Sequence, residues 1–351
     1  MSASALWGGS LAASALLVLA GAAGVGGQDA ERRAEPDPAL ARATRALDAA
    51  ADSWSEEQRC VSCHSNGLAL VAQPSVRGEG EALRRTRGFA AEYLSRYAVE
   101  GEAPRGQRGS TTGVVATTAF LAMSDARSAD EVHAVTRAGL DRAWEALDPS
   151  GTWEGWLQCN WPPFEVDTAF APALVLVALG ELRGRFGEEA LRPADREGAA
   201  ALQAWLREHG PAGLHDRAMR LWAGVHWPEV AGPKDLAAWR AELEGAQRED
   251  GGWSMEALST PEWKRDGGQP QASTSGAYAT AFALHTLLRL GEDPRSERVR
   301  RGRAWLLRHQ SDDGGWRDRS PRRDGRHYIG RAATAFAVMV LAETADASRP
   351  R

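Results

Sequence analysis

The hydrophobic residues of this chain follow two alternating helical patterns. In segment 296–310, apolar residues such as Val299 and Trp305 fall on one face and charged residues on the other, which predicts an amphipathic helix. Segment 275–291 is apolar nearly all round and ends at Gly291, which predicts a buried helix with a left-handed C-cap. A half-exposed helix followed by a buried helix is therefore the predicted unit of the fold.

Segment 166–180 repeats the buried pattern and ends at Gly180. Its Pro172 predicts either a kink or the first turns of that helix, because proline lacks the backbone N–H of a helix interior.

A short Thr-Ala-Phe motif shows how often the unit recurs. It is found at 117–120, 167–170, 279–282 and 333–336. The steps are 50, 112 and 54 residues, and 112 is twice 56, which predicts a degenerate copy near residue 224. One further step back reaches Leu68, so about six units fill the chain. A closed ring protects every unit, whereas an open solenoid exposes its ends. The predicted fold is therefore all-α, an α/α toroid of six helix pairs in two concentric layers.

The chain divides into four predicted regions. Residues 1–27 read as a signal peptide or N-terminal anchor, because 11–27 is an uninterrupted small and apolar run. Residues 28–37 are a linker, 38–345 the toroid and 346–351 a disordered tail. We therefore expect an exported protein, periplasmic or on the outer face of the inner membrane, with a membrane tether through 11–27 as the alternative.

Three turns combine Asp or Ser with Gly and Trp. They read QREDGGW at 247–253, QSDDGGW at 310–316 and, more loosely, LDPSGTW at 147–153. Asp initiates a turn, Gly permits left-handed backbone angles, and Trp offers a broad packing surface against the neighbouring unit. We expect these turns to hold repeats together and assign them no chemistry.

These turns, together with the Asp-Thr-Ala segment at 167–169, resemble the squalene-hopene cyclase and protein prenyltransferase β-subunit superfamily over about 300 residues. The resemblance implies a terpenoid cyclase-like toroid in which an Asp-x-Asp-Asp-Thr-Ala motif protonates a polyprene. Here Phe164 and Val166 occupy the first two Asp positions, and the family's proton donor falls on Val166. Triterpene cyclase activity is therefore not expected. The prenyltransferases' zinc ligands, an Asp, a Cys and a His, have no aligned local motif in this chain.

The segment QRCVSCHSNG at 58–67 carries the Cys-x-x-Cys-His pattern of c-type haem attachment. Two thiols, here Cys60 and Cys63, add to the haem vinyl groups, and His64 places its imidazole on the iron. Two other interpretations remain: a disulfide between the two cysteines, and a zinc site that adds a ligand such as Cys159. For haem, the sixth iron ligand is left open among Met123, Met255, His226 and water.

A second dense segment, 151–167, follows the third outer helix. We expect it either to pack as a Trp-rich turn or to line a pocket for the haem or an apolar ligand. The predicted pocket residues are Trp153, Trp156, Cys159, Trp161 and Phe164, with Glu165 and Asp167 as candidates for catalysis.

The charge balance excludes one class of partner. The 42 basic residues are scattered among 47 acidic ones, for a net charge of -5, so no basic stripe offers itself to nucleic acid. The favoured function is a haem c protein for electron transfer or haem-based redox chemistry with a redox partner protein. The alternative is a terpene cyclase-like or prenyltransferase-like enzyme, or an isoprenoid-binding protein, that acts in the central cavity.

Overall fold

A computed structural model describes residues 37–98, 110–153, 162–164, 166, 169–325 and 328–345. The predicted leader at 1–27 and tail at 346–351 lie outside these residues, and the predicted domain boundaries stay predictions. Within the described ranges, no helix combines the length and the apolar character needed to cross a membrane.

The described residues form six pairs of helices. In chain order the pairs are α1 (Pro38–Gln58) with α2 (Asn66–Ala72) and its one-turn extension α3 (Pro74–Arg77), α4 (Glu81–Ala98) with α5 (Ser110–Ser128), α6 (Ala134–Ala146) with α7 (Phe170–Phe186), α8 (Pro193–Glu208) with α9 (Leu214–Gly224), α10 (Pro233–Gly245) with α12 (Ala277–Arg289), and α13 (Glu297–Arg308) with α14 (Tyr328–Glu343). Between α10 and α12 lie α11 (Met255–Leu258) and two short antiparallel strands, β1 (Trp253–Ser254) and β2 (Ser275–Gly276).

The second helix of each pair forms the inner layer, and these inner helices close into a ring. Each contacts the next in the order α2, α5, α7, α9, α12, α14, and α14 returns to α2. The first helices of the pairs surround this ring, with α1 packed on α14 across the seam. The prediction of an α/α toroid with two concentric layers is confirmed, and the degenerate copies near 224 and 68 correspond to α9 and α2.

The third inner helix, α7, is longer than predicted. It continues through Gly180 to Phe186 and ends at Gly187, where φ is 91°. Gly180 is needed for close packing, because a Cβ at this position would lie 2.3 Å from the Cβ of His226. Pro172 lies in the first turn of α7, where a missing backbone N–H costs nothing.

The Gly-Trp turns end the outer helices in one common way. Gly151, Gly251 and Gly314 have φ of 87°, 94° and 89°, which only glycine adopts without strain. In each turn, the indole N–H of the Trp donates to a carbonyl ten residues earlier, at the end of its own outer helix. These bonds are Trp153 to Ala143 (2.9 Å), Trp253 to Leu243 (2.8 Å) and Trp316 to Leu306 (2.9 Å).

Glutamine, rather than Trp, makes the hydrogen bond to the next unit. Gln247 donates from Nε2 to the carbonyl of Arg298 at 2.9 Å. Gln310 donates in the same way to the carbonyl of Ala39 at 2.9 Å, so the sixth unit is joined to the first. An ion pair between Arg303 and Asp37 at 2.8 Å reinforces this seam.

The Thr and Phe of the repeated motif have separate roles. Thr280 accepts a hydrogen bond from the backbone N–H of Trp253 at 3.0 Å, and Thr334 accepts one from Trp316 at 3.1 Å. Two residues later, Phe282 and Phe336 point away from the turn, because residues two apart lie on opposite sides of a helix. The Phe side chains therefore face the axis of the ring.

Candidate functional site

The inner helices enclose a small cavity on the ring axis, called the axial cavity below. All six inner helices contribute side chains to it, and the Phe of every clear Thr-Ala-Phe motif is among them. Its lining residues are Leu68, Phe120, Met123, Phe164, Phe170, Leu174, Met219, Trp222, Tyr278, Phe282 and Phe336. The repeat that organises the chain thus also builds an aromatic centre.

The aromatic rings of the axial cavity are closely packed. Phe282 lies 5.7 Å from Tyr278 in a stacked arrangement and 5.3 Å from Phe336 edge to face. The cavity between these rings is small. The volume open to the centre of a water molecule is about 10 Å³, which is room for about one water. Met123 and Met219, which have flexible unbranched side chains, complete the wall. A larger ligand would therefore have to separate these side chains.

A buried His–Tyr pair borders this cavity on the upper face, the face on which outer helices turn into inner ones. His215, the second residue of α9, lies with its Nε2 2.8 Å from the hydroxyl of Tyr278. Its ring also stacks on Phe282, at 4.5 Å between centroids. Burial lowers the pKa of His215 to about 3 and raises the pKa of Tyr278 well above its usual value. Both groups are neutral at physiological pH.

The Cys-x-x-Cys-His segment forms the turn between α1 and α2. The side chain of Asn66 organises this turn. Its Oδ1 accepts from the backbone N–H of Ser62 at 3.0 Å, and its Nδ2 donates to the carbonyl of Cys60 and to Ser55 Oγ, both at 3.0 Å. One buried amide thus fixes the position of His64.

The turn directs His64 inward, toward the axis. Its ring lies 4.8 Å from that of Trp54, 5.1 Å from Tyr328 and 6.2 Å from Phe164, which lines the axial cavity. Burial, and secondarily the charge of Arg331, lower the pKa of His64 to about 3. His64 is therefore a neutral imidazole at the rim of the aromatic centre.

These contacts bear on the haem prediction. Cys63 and His64 are buried, Cys60 is half-buried, and no disulfide joins the two cysteines. A porphyrin on the His64 imidazole would need the space that Trp54 and Tyr328 occupy. The three residues of the motif thus lie together on one turn. A haem fits on His64 only if Trp54 or Tyr328 moves.

The predicted sixth ligands lie in three different places. Met123 lines the axial cavity together with Phe164, which His64 contacts. Met255 begins α11 on the upper face. His226 follows α9 on the lower face, the opposite end of the ring from His64. Over the described ranges, no cluster of three or more His, Cys, Asp or Glu has the arrangement of a metal site. The zinc alternative included Cys159, which is outside those ranges.

Comparisons with known proteins place part of the chain in a context. Residues 234–343 match the family model of the squalene-hopene cyclase C-terminal domain. A stretch of 71 residues is 38% identical to a terpentedienyl-diphosphate synthase from Kitasatospora griseola and covers 20% of this chain and 13% of that synthase. Residues 234–343 are thus similar to terpenoid cyclases. The match to the synthase spans only a small share of that protein's length.

A solved polysaccharide lyase structure has the same overall fold. It superposes with a TM-score of 0.53 and covers 89% of this chain and 99% of that one. The sequence identity is 10%, so the similarity concerns the fold alone. It supports the ring architecture and says nothing about chemistry.

The predicted pocket residues of segment 151–167 divide into three groups. Phe164 lines the axial cavity. Trp153 is buried but packs away from that cavity, stacked on Trp144 at 6.2 Å. Trp156, Cys159, Trp161, Glu165 and Asp167 lie outside the described residues. Val166, which takes the place of the cyclases' proton donor, is half-buried against the core.

Sequence reasoning missed the buried histidines of the inner helices, His215 and His285. Neither lies in a local motif, and a lone His in an apolar helix usually reads as core. The signal was their register relative to the repeated Phe. His285 lies three residues after Phe282, and the same face of α12 also carries Tyr278 and Arg289, so the periodicity that places Phe on the axis also places His285 there.

Proposed function

We propose that this protein binds an isoprenoid in the axial cavity of its toroid. The observation that carries the proposal is that the Phe residues of four Thr-Ala-Phe motifs, Phe120, Phe170, Phe282 and Phe336, line one shared cavity. A core needs apolar packing, but it does not need the same aromatic residue from four of its six repeats to line a shared space. The terpenoid cyclase-like sequence of residues 234–343 supports the same ligand class.

The chemistry of the wall suits an unsaturated hydrocarbon. Aromatic faces pack against isoprene units, and they attract any positive charge that develops on a bound polyene. The proton-initiated reaction of the class II cyclases is a separate matter, because Val166 stands in the donor position and has no proton to give. We therefore propose binding without proton-initiated cyclisation, and Glu165 and Asp167 stay the acidic candidates should a reaction be found.

Occupation of the cavity requires the ring to expand locally. Because the free space accommodates about one water, an isoprenoid enters only as side chains such as Met123, Met219 and Phe336 change rotamer.

The test is retention of isoprenoids by the purified full chain. The protein is incubated with detergent-dispersed squalene and geranylgeraniol, separated from micelles, and extracted for mass spectrometry. We expect retention by the unmodified chain and a loss of about fivefold to tenfold in Phe282→Leu, which removes an aromatic wall residue. Phe186→Leu is the matched control, because Phe186 ends α7 away from the axial cavity.

Two outcomes would overturn the proposal. One is that the folded chain, verified by circular dichroism, retains neither compound. The other is that Phe186→Leu and Phe282→Leu reduce retention equally, because binding would then lie elsewhere. A cyclised product in the extract would overturn the narrower claim that no proton-initiated reaction occurs.

A second candidate function is covalent haem binding at the first turn, with the chain exported as residues 1–27 predict. The observation in its favour is the Cys60, Cys63 and His64 spacing on one turn with Cys60 half-buried rather than enclosed. The chain, expressed with a cytochrome maturation system, is examined by pyridine haemochrome spectroscopy. Covalent haem that disappears in Cys60→Ser with Cys63→Ser supports this function, and colourless protein rejects it.

A further inference from the structure

Two polar side chains at the lower end of the axial cavity have no hydrogen-bond partner among the described residues: Trp222, which lines the cavity, and His285, which packs against Trp222 and Phe336. His285 is 2% exposed and Trp222 2% exposed, and neither ring nitrogen of His285 nor the indole nitrogen of Trp222 makes a hydrogen bond in the described part of the chain. The two rings meet edge to face, 4.8 Å apart between centroids. Buried polar groups are nearly always paired, so this unmatched pair needs an explanation.

His285 lies between two spaces. Above it are Trp222 and Phe336, both wall residues of the axial cavity, with Phe336 5.5 Å from the His285 ring. Below it is a pocket of about 360 Å³ on the lower face, which His285 also lines together with Ser75, Arg127, Arg289 and Met339. The imidazole is thus placed where a molecule passing from the lower pocket into the axial cavity would touch it.

The charges of the lower pocket are already neutralised in pairs. Arg127 donates to both carboxylate oxygens of Glu181, at 2.7 and 2.5 Å, and to the carbonyl of Val71 at 2.8 Å. Arg289 is paired with Glu343. A phosphate or carboxylate would have to displace these carboxylates, so the arrangement does not favour an anionic ligand.

The unmatched atoms fit a neutral oxygen instead. Burial, and then the charges of Arg289 and Arg127, lower the pKa of His285 well below its usual value, so the imidazole is neutral. A neutral imidazole offers one donor and one acceptor, and the Trp222 indole offers one donor. A hydroxyl group satisfies both kinds of atom, and a carbonyl oxygen accepts from two donors.

We infer that the ligand of the axial cavity carries a hydroxyl or carbonyl oxygen at its lower end, and that His285 and Trp222 bind that oxygen. The ligand class is therefore an oxygenated isoprenoid, such as a terpenoid alcohol or ketone. This inference rests on the proposed isoprenoid binding and adds a polar end to an otherwise apolar ligand.

The experiment measures a preference rather than an affinity. The full chain is loaded from an equimolar mixture of farnesol and farnesene in detergent, and the ratio of the two bound compounds is corrected for their ratio in protein-free micelles. We expect the unmodified chain to favour farnesol by about tenfold, and the ratio to fall to about one in His285→Phe and in Trp222→Phe.

Two further variants separate hydrogen bonding from packing. His285→Gln keeps both a donor group and an acceptor group, so it should retain most of the preference for farnesol. His209→Phe removes an imidazole from the outer layer, where it stacks on Trp205 at 4.2 Å, and should leave the ratio unchanged.

The outcomes distinguish this inference from the proposed function. Equal retention of farnesol and farnesene by the unmodified chain overturns the inference and leaves isoprenoid binding in place, as expected if only an ordered water meets His285. A preference that survives both His285→Phe and Trp222→Phe overturns it too. Retention of neither compound removes the proposed function and the inference together.

Discussion

Two kinds of turn between the outer and inner layers can be compared among the described residues. The staple turns, 247–253 and 310–316, are fully accounted for by hydrogen bonds: Gln binds the next unit, Trp binds its own helix, and Thr of the inner helix binds the Trp backbone. The histidine turns, 59–65 and 209–213, lack the Gly-Gly-Trp sequence and instead lead to His64 and His215. The first kind holds the ring together, and the second kind delivers polar rings to its centre.

The positions of the two kinds support this division of roles. The histidine turns belong to the first and fourth pairs, which lie on opposite sides of a six-membered ring. Their imidazoles approach the same central group, because His64 contacts Phe164 and His215 contacts Tyr278, which in turn contacts Phe164 at 5.7 Å. In these two repeats, a turn that leads to a buried imidazole thus takes the place of the staple sequence.

The largest effect is expected at a staple turn. Trp253→Ala removes a fully buried indole and its bond to Leu243, which should lower the free energy of unfolding by about 3–5 kcal/mol. Trp239→Ala, at a half-buried outer position, should cost far less. The free energies come from urea unfolding followed by circular dichroism. Similar losses in the two variants would show that the staple is ordinary packing.

A smaller loss is expected at the first histidine turn. Asn66→Ala leaves the Ser62 N–H and the Cys60 carbonyl without their buried partner, which should cost about 2 kcal/mol. The same urea titration measures it. Asn66→Asp keeps the acceptor for Ser62 and is the matched comparison. No destabilisation in Asn66→Ala would mean that the turn does not depend on this amide.

The buried His215, which follows the second histidine turn, should make the stability of the fold depend on pH. The pKa of His215 is about 3 in the folded chain against an ordinary 6.5, so between these values the unfolded chain binds a proton that the folded chain does not. The free energy of unfolding therefore falls as the pH drops below 6.5. His215 lowers it by about 2 kcal/mol at pH 5 and has little effect on it above pH 6.5.

The variant His215→Phe isolates this contribution. The difference in unfolding free energy between pH 7.5 and pH 5 should shrink by about 2 kcal/mol relative to the unmodified chain. Tyr278→Phe keeps the imidazole buried and removes only its hydroxyl partner, so the difference should persist. An unchanged difference in His215→Phe would place the acid sensitivity in other groups.

The ring could be predicted from the sequence because one short motif, Thr-Ala-Phe, recurs at the spacing of the helix pairs. The Thr and Phe of that motif are fixed by separate contacts, to the turn and to the axis, so both recur and the repeat number follows. The prediction that α7 ends at Gly180 was wrong. In the sequence, a glycine required for close approach to His226 cannot be told from one that ends a helix.

The site was less predictable for a physical reason. Cys60, Cys63 and His64 form a local motif, whereas His215 and His285 gain significance only when six separated helices converge. The direction of a side chain into a shared space depends on ring closure, which no single segment encodes. The haem attachment predicted from the motif stays a prediction.

The seam between Gln310 and Ala39, reinforced by Arg303 and Asp37, determines when the molecule can be completed. The first pair is translated before its final neighbour, so a growing chain exposes the unpaired side of α1 until α13 and α14 emerge. Until then, the toroid is an open crescent with two apolar ends, and its assembly depends on the ends meeting each other before they meet another chain.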